Sequence, residues 1–178
     1  MTLDNHWLKE ARACPSPFYN ERPHQEISLL VIHNIALPPK TYGGRAIEQL
    51  FTGCLSPEEH PYFAEIAHLE VSAHLLITRT GELVQFVGFD RRAWHAGQSS
   101  FQGRENCNDF ALGIEMEGSD DQPYTPIQYL QLQRVTRQLM QAYPAITRDR
   151  ICGHSTLAPG RKTDPGPAFD WDAYLTEL

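Results

Sequence analysis

The segment that most restricts how this chain folds is Ile27 to Ile32, ISLLVI, an almost unbroken apolar run with β-branched members. A strand with one wet face alternates apolar and polar residues, so a run without alternation must be covered on both faces. The chain is therefore expected to form a sheet with packing layers on each side. His33 and Asn34 follow at once, and they are expected to end this strand as a polar pair at the edge of the sheet.

The remaining pattern supplies the layers. Val71 to Thr78 and Glu82 to Val87 read as two strands joined at Thr80-Gly81, a hairpin. Phe110 to Glu117 is another strand, and Arg150 to Gly153 a short one. Thr125 caps a helix with Pro126 at its first position, Leu132, Val135, Leu139 and Ala142 form its apolar face, and Pro144 stops it. Asp170 caps a last helix whose apolar side carries Trp171, Tyr174, Leu175 and Leu178. Residues 1–26 are polar and broken by proline, with one short helix expected around Trp7 to Ala11, and residues 89–108 read as a loop. The order predicts an α/β fold, a single mixed β-sheet flanked by helices, as one domain over 1–178.

One connection is out of scale. Residues 35–70 carry Pro-Pro, Gly-Gly and Ser-Pro breaks around a single expected helix, Arg45 to Phe51. Connections this long usually serve as a lid or a binding wall, and Gly43-Gly44 and the Pro breaks would act as the hinges of such a lid.

Composition narrows the function classes. With 178 residues, 41% of them hydrophobic, the chain is expected to bury roughly 70% of its unfolded surface without staples. The net charge of −7 argues against nucleic acid as a partner, because phosphate binding needs a basic stripe. No apolar run approaches the roughly 20 residues of a membrane span. The start, MTLDNHWLKEARACPSP, lacks the basic head and apolar middle of a signal peptide, which points to the cytoplasm. Cys14, Cys54, Cys107 and Cys152 form no C-x-x-C pair and read as reduced, packed thiols.

The residues that carry chemistry gather in GHSTLAPGRKTDPGP, Gly153 to Pro167. His154 and Asp164 are common types of zinc ligand, and His33 supplies a second imidazole from the apolar strand. Two neutral imidazoles and one carboxylate leave a fourth tetrahedral position open for water, whose pKa the metal lowers toward about 7. Glu115, in GIEMEG, shares a strand face with Glu117 and is placed to take that water's proton and pass it to a leaving amine. Lys162 brings an ammonium toward a developing oxyanion. Metal, base and cation together describe hydrolysis of an amide.

Each residue also has a plainer role. A histidine at a strand end is often only hydrogen-bonded, Glu115 and Glu117 fit a solvated strand face, and Arg161 and Lys162 fit ordinary surface charges. His74, inside VSAHLLIT, reads as a hydrogen-bonded core residue. His95 and Trp94, in AWHAG, fit a cleft wall with the indole stacked on a sugar, or else simple packing.

SLLVIHN, VSAHLLI, AWHAG, GIEMEG and GH…RKTDPGPAFDW, in this order from Trp7 to the C-terminal helix, resemble the zinc-dependent N-acetylmuramoyl-L-alanine amidases related to peptidoglycan recognition proteins. The likeness is strongest to the cytoplasmic branch that recycles cell-wall fragments. It implies Zn2+ held by His33, His154 and Asp164, Glu115 as the catalytic acid-base, and Lys162 as the oxyanion partner. Asn34, Trp94 and Arg161 are the implied substrate contacts. The implied substrate is a small soluble muropeptide ending in anhydro-N-acetylmuramic acid, cut between the lactyl group and L-Ala by a monomeric enzyme. The level of uncut muropeptide would then bear indirectly on β-lactamase induction. Two alternatives share the fold: a non-catalytic muropeptide-binding protein, and an amidase acting on intact murein. Where members of the family carry arginine before VSAH and before Cys107, this chain has Glu70 and Asn106.

Overall fold

The structure, a computed structural model, describes residues 1–176 and 178. Its centre is a six-stranded mixed sheet. In chain order the strands are β1 (Arg12–Ala13), β2 (Leu29–Ile35), β3 (Leu75–Ile77), β4 (Leu83–Gln85), β5 (Ala111–Glu117) and β6 (Ile151–Gly153). Their order across the sheet is β6-β2-β5-β3-β4-β1. All neighbours run parallel except β3 and β4, the expected hairpin, whose turn places Gly81 at φ +83°.

The apolar run behaves as its pattern requires. Leu29, Leu30, Val31 and Ile32 are fully buried. Leu30 and Ile32 pack with Leu112, Ile114 and Met116 of β5 against Leu132, Val135 and Leu139 of the long helix α3 (Pro126–Ala142). Leu29 and Val31 face the other way, toward Phe101, Cys107 and Cys152. His33 and Asn34 do not end the strand: pairing with β5 continues through Asn34 and Ile35. The backbone ladder carries the strand onward, while both residues line the cavity at the strand's C-terminal end.

Helix α3 starts as its sequence dictates. The Thr125 hydroxyl accepts the Gln128 N–H and the Gln128 side chain accepts the Thr125 N–H, a reciprocal cap ahead of Pro126. The last helix, α5 (Trp171–Thr176), is capped by Asp170, whose carboxylate accepts the Ala173 N–H at 2.8 Å, and Tyr174 anchors it in the core.

Residues 35–70 fold into two short helices, α1 (Ala46–Phe51) and α2 (Pro61–Ile66). Ile47, Leu50, Phe51 and Phe63 pack on Leu76, Val84 and Phe86 of the hairpin. The second helix was not expected, although His60 before Pro61 is a start signal: its ring accepts the Tyr62 N–H at 3.1 Å. The expected helix at Trp7 to Ala11 is absent. Leu3–Asp4 pairs with Trp7–Leu8 instead, across a turn that holds Asn5 and His6 at positive φ. Residues 89–108 are likewise not a plain loop. Arg91–Ala93 pairs with Tyr19–Glu21, and Ser100–Phe101 with Arg104–Glu105 around Gln102-Gly103, both at positive φ as a tight hairpin turn demands. Residues 71–74 stay outside β3. Among the described residues no helix is long and apolar enough to cross a membrane.

His74 is a core residue, as its apolar setting implied. Its Nδ1 accepts the Gly113 N–H at 3.0 Å and its Nε2–H donates to the Arg91 carbonyl at 3.0 Å. Burial first, then the nearby Arg22 charge, push its pKa down to about 3. The unfolded chain takes up this proton below about 6.5 and the folded chain does not. Stability contributed here is therefore complete above pH 6.5 and declines as pH falls toward 3, by an amount on the order of a few kcal/mol. Denaturant unfolding at pH 7, 5 and 4 should show a steeper acid loss for the parent than for His74→Asn; equal slopes would contradict this.

Candidate active site

The C-terminal halves of β2 and β5 lie side by side, and their register pairs His33 with Glu115. The chain then returns through β6 into a four-residue helix, α4 (His154–Leu157), so His154 opens a helix and not a loop. The segment after it folds back over Gly153, where any Cβ would lie 2.7 Å from Pro165 Cδ. The Asp164 carbonyl accepts the Ser155 N–H at 3.0 Å and fixes the closure. A glycine at 153 thus lets Asp164 reach His154.

Three atoms converge as a result. His33 Nδ1 lies 3.0 Å from Asp164 Oδ2 and 3.1 Å from His154 Nδ1, and His154 Nδ1 lies 3.1 Å from the same Oδ2. Ligand atoms about 2.0–2.1 Å from a tetrahedral ion sit roughly 3.3 Å from one another, so this triangle is close to that of three zinc ligands. The donor set fits as well. His154 Nε2 faces the Ala96 carbonyl at 3.1 Å, and since a carbonyl only accepts, Nε2 carries the proton and Nδ1 presents a lone pair. A second nitrogen and a carboxylate oxygen meeting that lone pair call for a cation between them. Among the described residues this is the one such His/Cys/Asp/Glu cluster. Cys152 is not part of it: burial pushes its thiol up to about 12.

The electrostatics suit neutral imidazoles beside a carboxylate. Burial drives the His33 imidazole down, with Asp164 opposing. Burial also works to raise Asp164, but its polar contacts with the His154 and His33 rings outweigh it and hold the carboxyl below its usual range. Glu115 is in the opposite condition. Burial, then the charge of Asp164, raise its pKa well above that of an ordinary carboxyl, with Lys162 pulling the other way. One of its oxygens is buried without a hydrogen-bond partner. Glu117 is not a solvated neighbour: it is buried and accepts the backbone N–H groups of Gly43 and Arg79.

These groups open into a cavity of about 780 Å³. Leu50, Phe51, Tyr62 and Ile66 of the 35–70 segment form one wall, Trp94 and His95 another, and Lys162 stands at the rim.

The sequence model described as N-acetylmuramoyl-L-alanine amidase matches residues 23–167, a span that contains all of these groups. The chain belongs to this family. Among its relatives is the 1,6-anhydro-N-acetylmuramyl-L-alanine amidase AmpD of Salmonella typhimurium (strain SL1344), 61% identical over 98% of this chain and 93% of that protein. A crystal structure of a selenomethionine AmpD derivative superposes with a TM-score of 0.98 at 58% identity, covering 100% of this chain and 99% of the other. The amidase AmiD from E. coli, in complex with anhydro-N-acetylmuramic acid-L-Ala-D-γ-Glu-L-Lys, gives a TM-score of 0.63 at 26% identity over 85% of this chain and 57% of that one.

Within this amidase fold the residues expected at the substrate are unequally free. Asn34 is half-buried and donates to Asp120 Oδ1 at 2.8 Å and to the Pro165 carbonyl at 3.1 Å, so it braces the site floor. Trp94 lines the cavity with its indole N–H given to Asn20 at 2.9 Å and its ring stacked on Phe18, centroids 6.3 Å apart. Arg161 is exposed and donates to the carbonyls of Ala96 and Gln98. Lys162 is exposed at the cavity rim. The sequence reading missed Tyr62, Lys40, Asp120 and Asp121, which also line the cavity. It also missed Arg22, whose buried guanidinium donates to the carbonyls of Asn108, Asp109 and Ala111 beneath the site. No local motif marks an isolated arginine for such a role.

Proposed function

We propose that this chain is a zinc-dependent amidase that hydrolyses the amide between the lactyl group of anhydro-N-acetylmuramic acid and L-Ala in soluble muropeptides. The observation that carries the reading is the convergence of His33, His154 and Asp164 beside buried Glu115 within an N-acetylmuramoyl-L-alanine amidase fold. Likeness to AmpD over nearly the whole chain supports the anhydro end, and the AmiD complex supports a muropeptide ligand.

His33, His154 and Asp164 would hold the ion. Zinc held there would supply a Lewis acid and a water acidified to near neutrality. Glu115 accepts a proton from the attacking water and returns it to the L-Ala nitrogen as the C–N bond breaks; its raised pKa suits both halves of the exchange. Lys162, at the cavity rim, stabilises the negative charge that gathers on the lactyl carbonyl oxygen. Trp94 and Arg161 meet the sugar and stem peptide. The 35–70 segment is the wall, hinged at Gly43-Gly44, that admits a soluble fragment and rejects a polymer. The enzyme works as one monomeric domain in cytoplasmic cell-wall recycling, and by setting the level of uncut muropeptide it bears on β-lactamase induction.

Glu70 and Asn106 are both exposed, and Asn106 lines a smaller cavity with Arg161. Muropeptides are anionic, so Glu70→Arg and Asn106→Arg should each lower KM up to about fivefold, as an exposed ion pair worth at most about 1 kcal/mol allows. The kcat should stay within twofold. Steady-state kinetics on an anhydro-muropeptide check this, and an unchanged or raised KM would count against it.

Mass spectrometry of products from a soluble anhydro-muropeptide and from intact murein, with and without zinc, tests the reading. Free stem peptide from the soluble substrate alone, and only with zinc, is the expected result. Binding without cleavage would make the chain a muropeptide receptor, and peptide released from murein would make it a wall amidase.

A further inference from the structure

Each imidazole of the triad has a second nitrogen, and one loop, 94–97, meets both. The Ala96 carbonyl fixes the tautomer of His154, as above. His33 Nε2 meets His95 Nδ1 at 2.9 Å, with the rings edge to face. Unlike a carbonyl, His95 Nδ1 can either give or accept a proton.

We propose that His95 is the positioning residue of His33: it accepts the His33 Nε2–H and so holds the tautomer whose Nδ1 lone pair points at the metal. The proposal rests on His33, His154 and Asp164 being the zinc ligands. A neutral imidazole that ligates through Nδ1 must carry its proton on Nε2, and a buried N–H needs an acceptor. His95 Nδ1 is the hydrogen-bonding partner that His33 Nε2 has.

His95 is itself held in place. Asn108 Oδ1 accepts the backbone N–H groups of His95 and Ala96, at 3.3 and 2.8 Å. The His95 ring lies over Gly113, where any Cβ would stand 2.5 Å from its Cγ. A side chain at 113 would push the ring off His33.

His95 Nε2 is buried with no partner. Without metal, His33 Nδ1–H can donate to Asp164 Oδ2. His33 Nε2 then accepts from His95 Nδ1–H, and His95 Nε2 is a bare lone pair. With metal, His33 would keep Nδ1 bare and carry its proton on Nε2, and His95 would carry its own on Nε2, a buried N–H without an acceptor whose cost the metal–ligand bond has to outweigh. The two rings hold two protons before and after, so zinc loading exchanges both tautomers.

The test is zinc affinity by chelator competition for the parent, His95→Ala and His95→Asn. Long-range 15N–1H spectra of 15N-histidine-labelled parent are recorded without and with zinc. His95→Ala should bind zinc 10–100-fold more weakly, the usual effect of removing a group that orients a ligand. His95→Asn, whose Oδ1 stands near the place of Nδ1, should recover affinity to within a few-fold. In the parent, His33 and His95 should both pass from Nδ1–H to Nε2–H on loading. Parent-like affinity in His95→Ala, or a His95 that keeps Nδ1–H in the loaded protein, would overturn the proposal, and the spectra decide should the variant fail to fold. A parent that binds no zinc would instead overturn the triad, and the proposal with it.

Discussion

Glu115→Gln should lower kcat for anhydro-muropeptide cleavage by about 10²–10⁴-fold, the contribution of a positioned acid-base group. Zinc affinity should stay within a few-fold, because Glu115 lies outside the ligand triangle. The pH profile sharpens the expectation. Glu115 must be ionised to take the proton from water, so the rate falls as pH drops through its pKa. Burial and Asp164 raise that pKa, which places the acid limb above the ordinary carboxyl range near 4.3. Zinc, by offsetting the charge of Asp164, draws the limb part of the way back. The glutamine variant should keep its residual rate with this limb flattened. Turnover within twofold of the parent would remove Glu115 from the chemistry and return it to the status of a buried structural acid.

Asp164→Ala should have an effect as large by a different route. The carboxylate offsets two imidazoles that face one another at 3.1 Å. Without it the site keeps only two of its three ligands. Zinc affinity should fall by more than the roughly 10–100-fold typical of an orienting partner, and turnover should fall with it. Chelation of the parent should abolish activity reversibly, and added zinc should restore it. The variant should remain inactive at the zinc concentration that restores the parent. Chelator competition and reloading measure both, and a variant with parent-like affinity would show that Asp164 is not a ligand.

How far these residues could be read beforehand depends on where their information lies. The apolar run of β2, the Thr125-Pro126 start of α3 and the Thr80-Gly81 turn are local, so pattern and propensity suffice for them. His33, His154 and Asp164 were legible because motifs in fixed order carried the family likeness, although the convergence itself depends on the fold closing over Gly153. The misses are non-local. At Trp7 to Ala11 a tertiary contact overrides local pattern: Gln85 Oε1 accepts the Leu8 N–H at 2.8 Å and holds the segment extended. The Glu117 carboxylate accepts the N–H groups of Gly43 and Arg79, two hydrogen bonds between residues far apart in sequence, and nothing in GIEMEG distinguishes that acid from Glu115. The same holds for His95. AWHAG suggested a cleft wall, but only the approach of β2 to that loop brings its Nδ1 to His33.

Hydrolysis carried out in water enriched in 18O tests the central claim most directly. Zinc-loaded protein acting on an anhydro-muropeptide should place one 18O in the lactyl carboxylate of the released sugar and none in the freed stem peptide, and the chelated protein should yield neither product. Label in the peptide, cleavage at another bond, or equal turnover by chelated protein would contradict a zinc amidase built on His33, His154, Asp164 and Glu115.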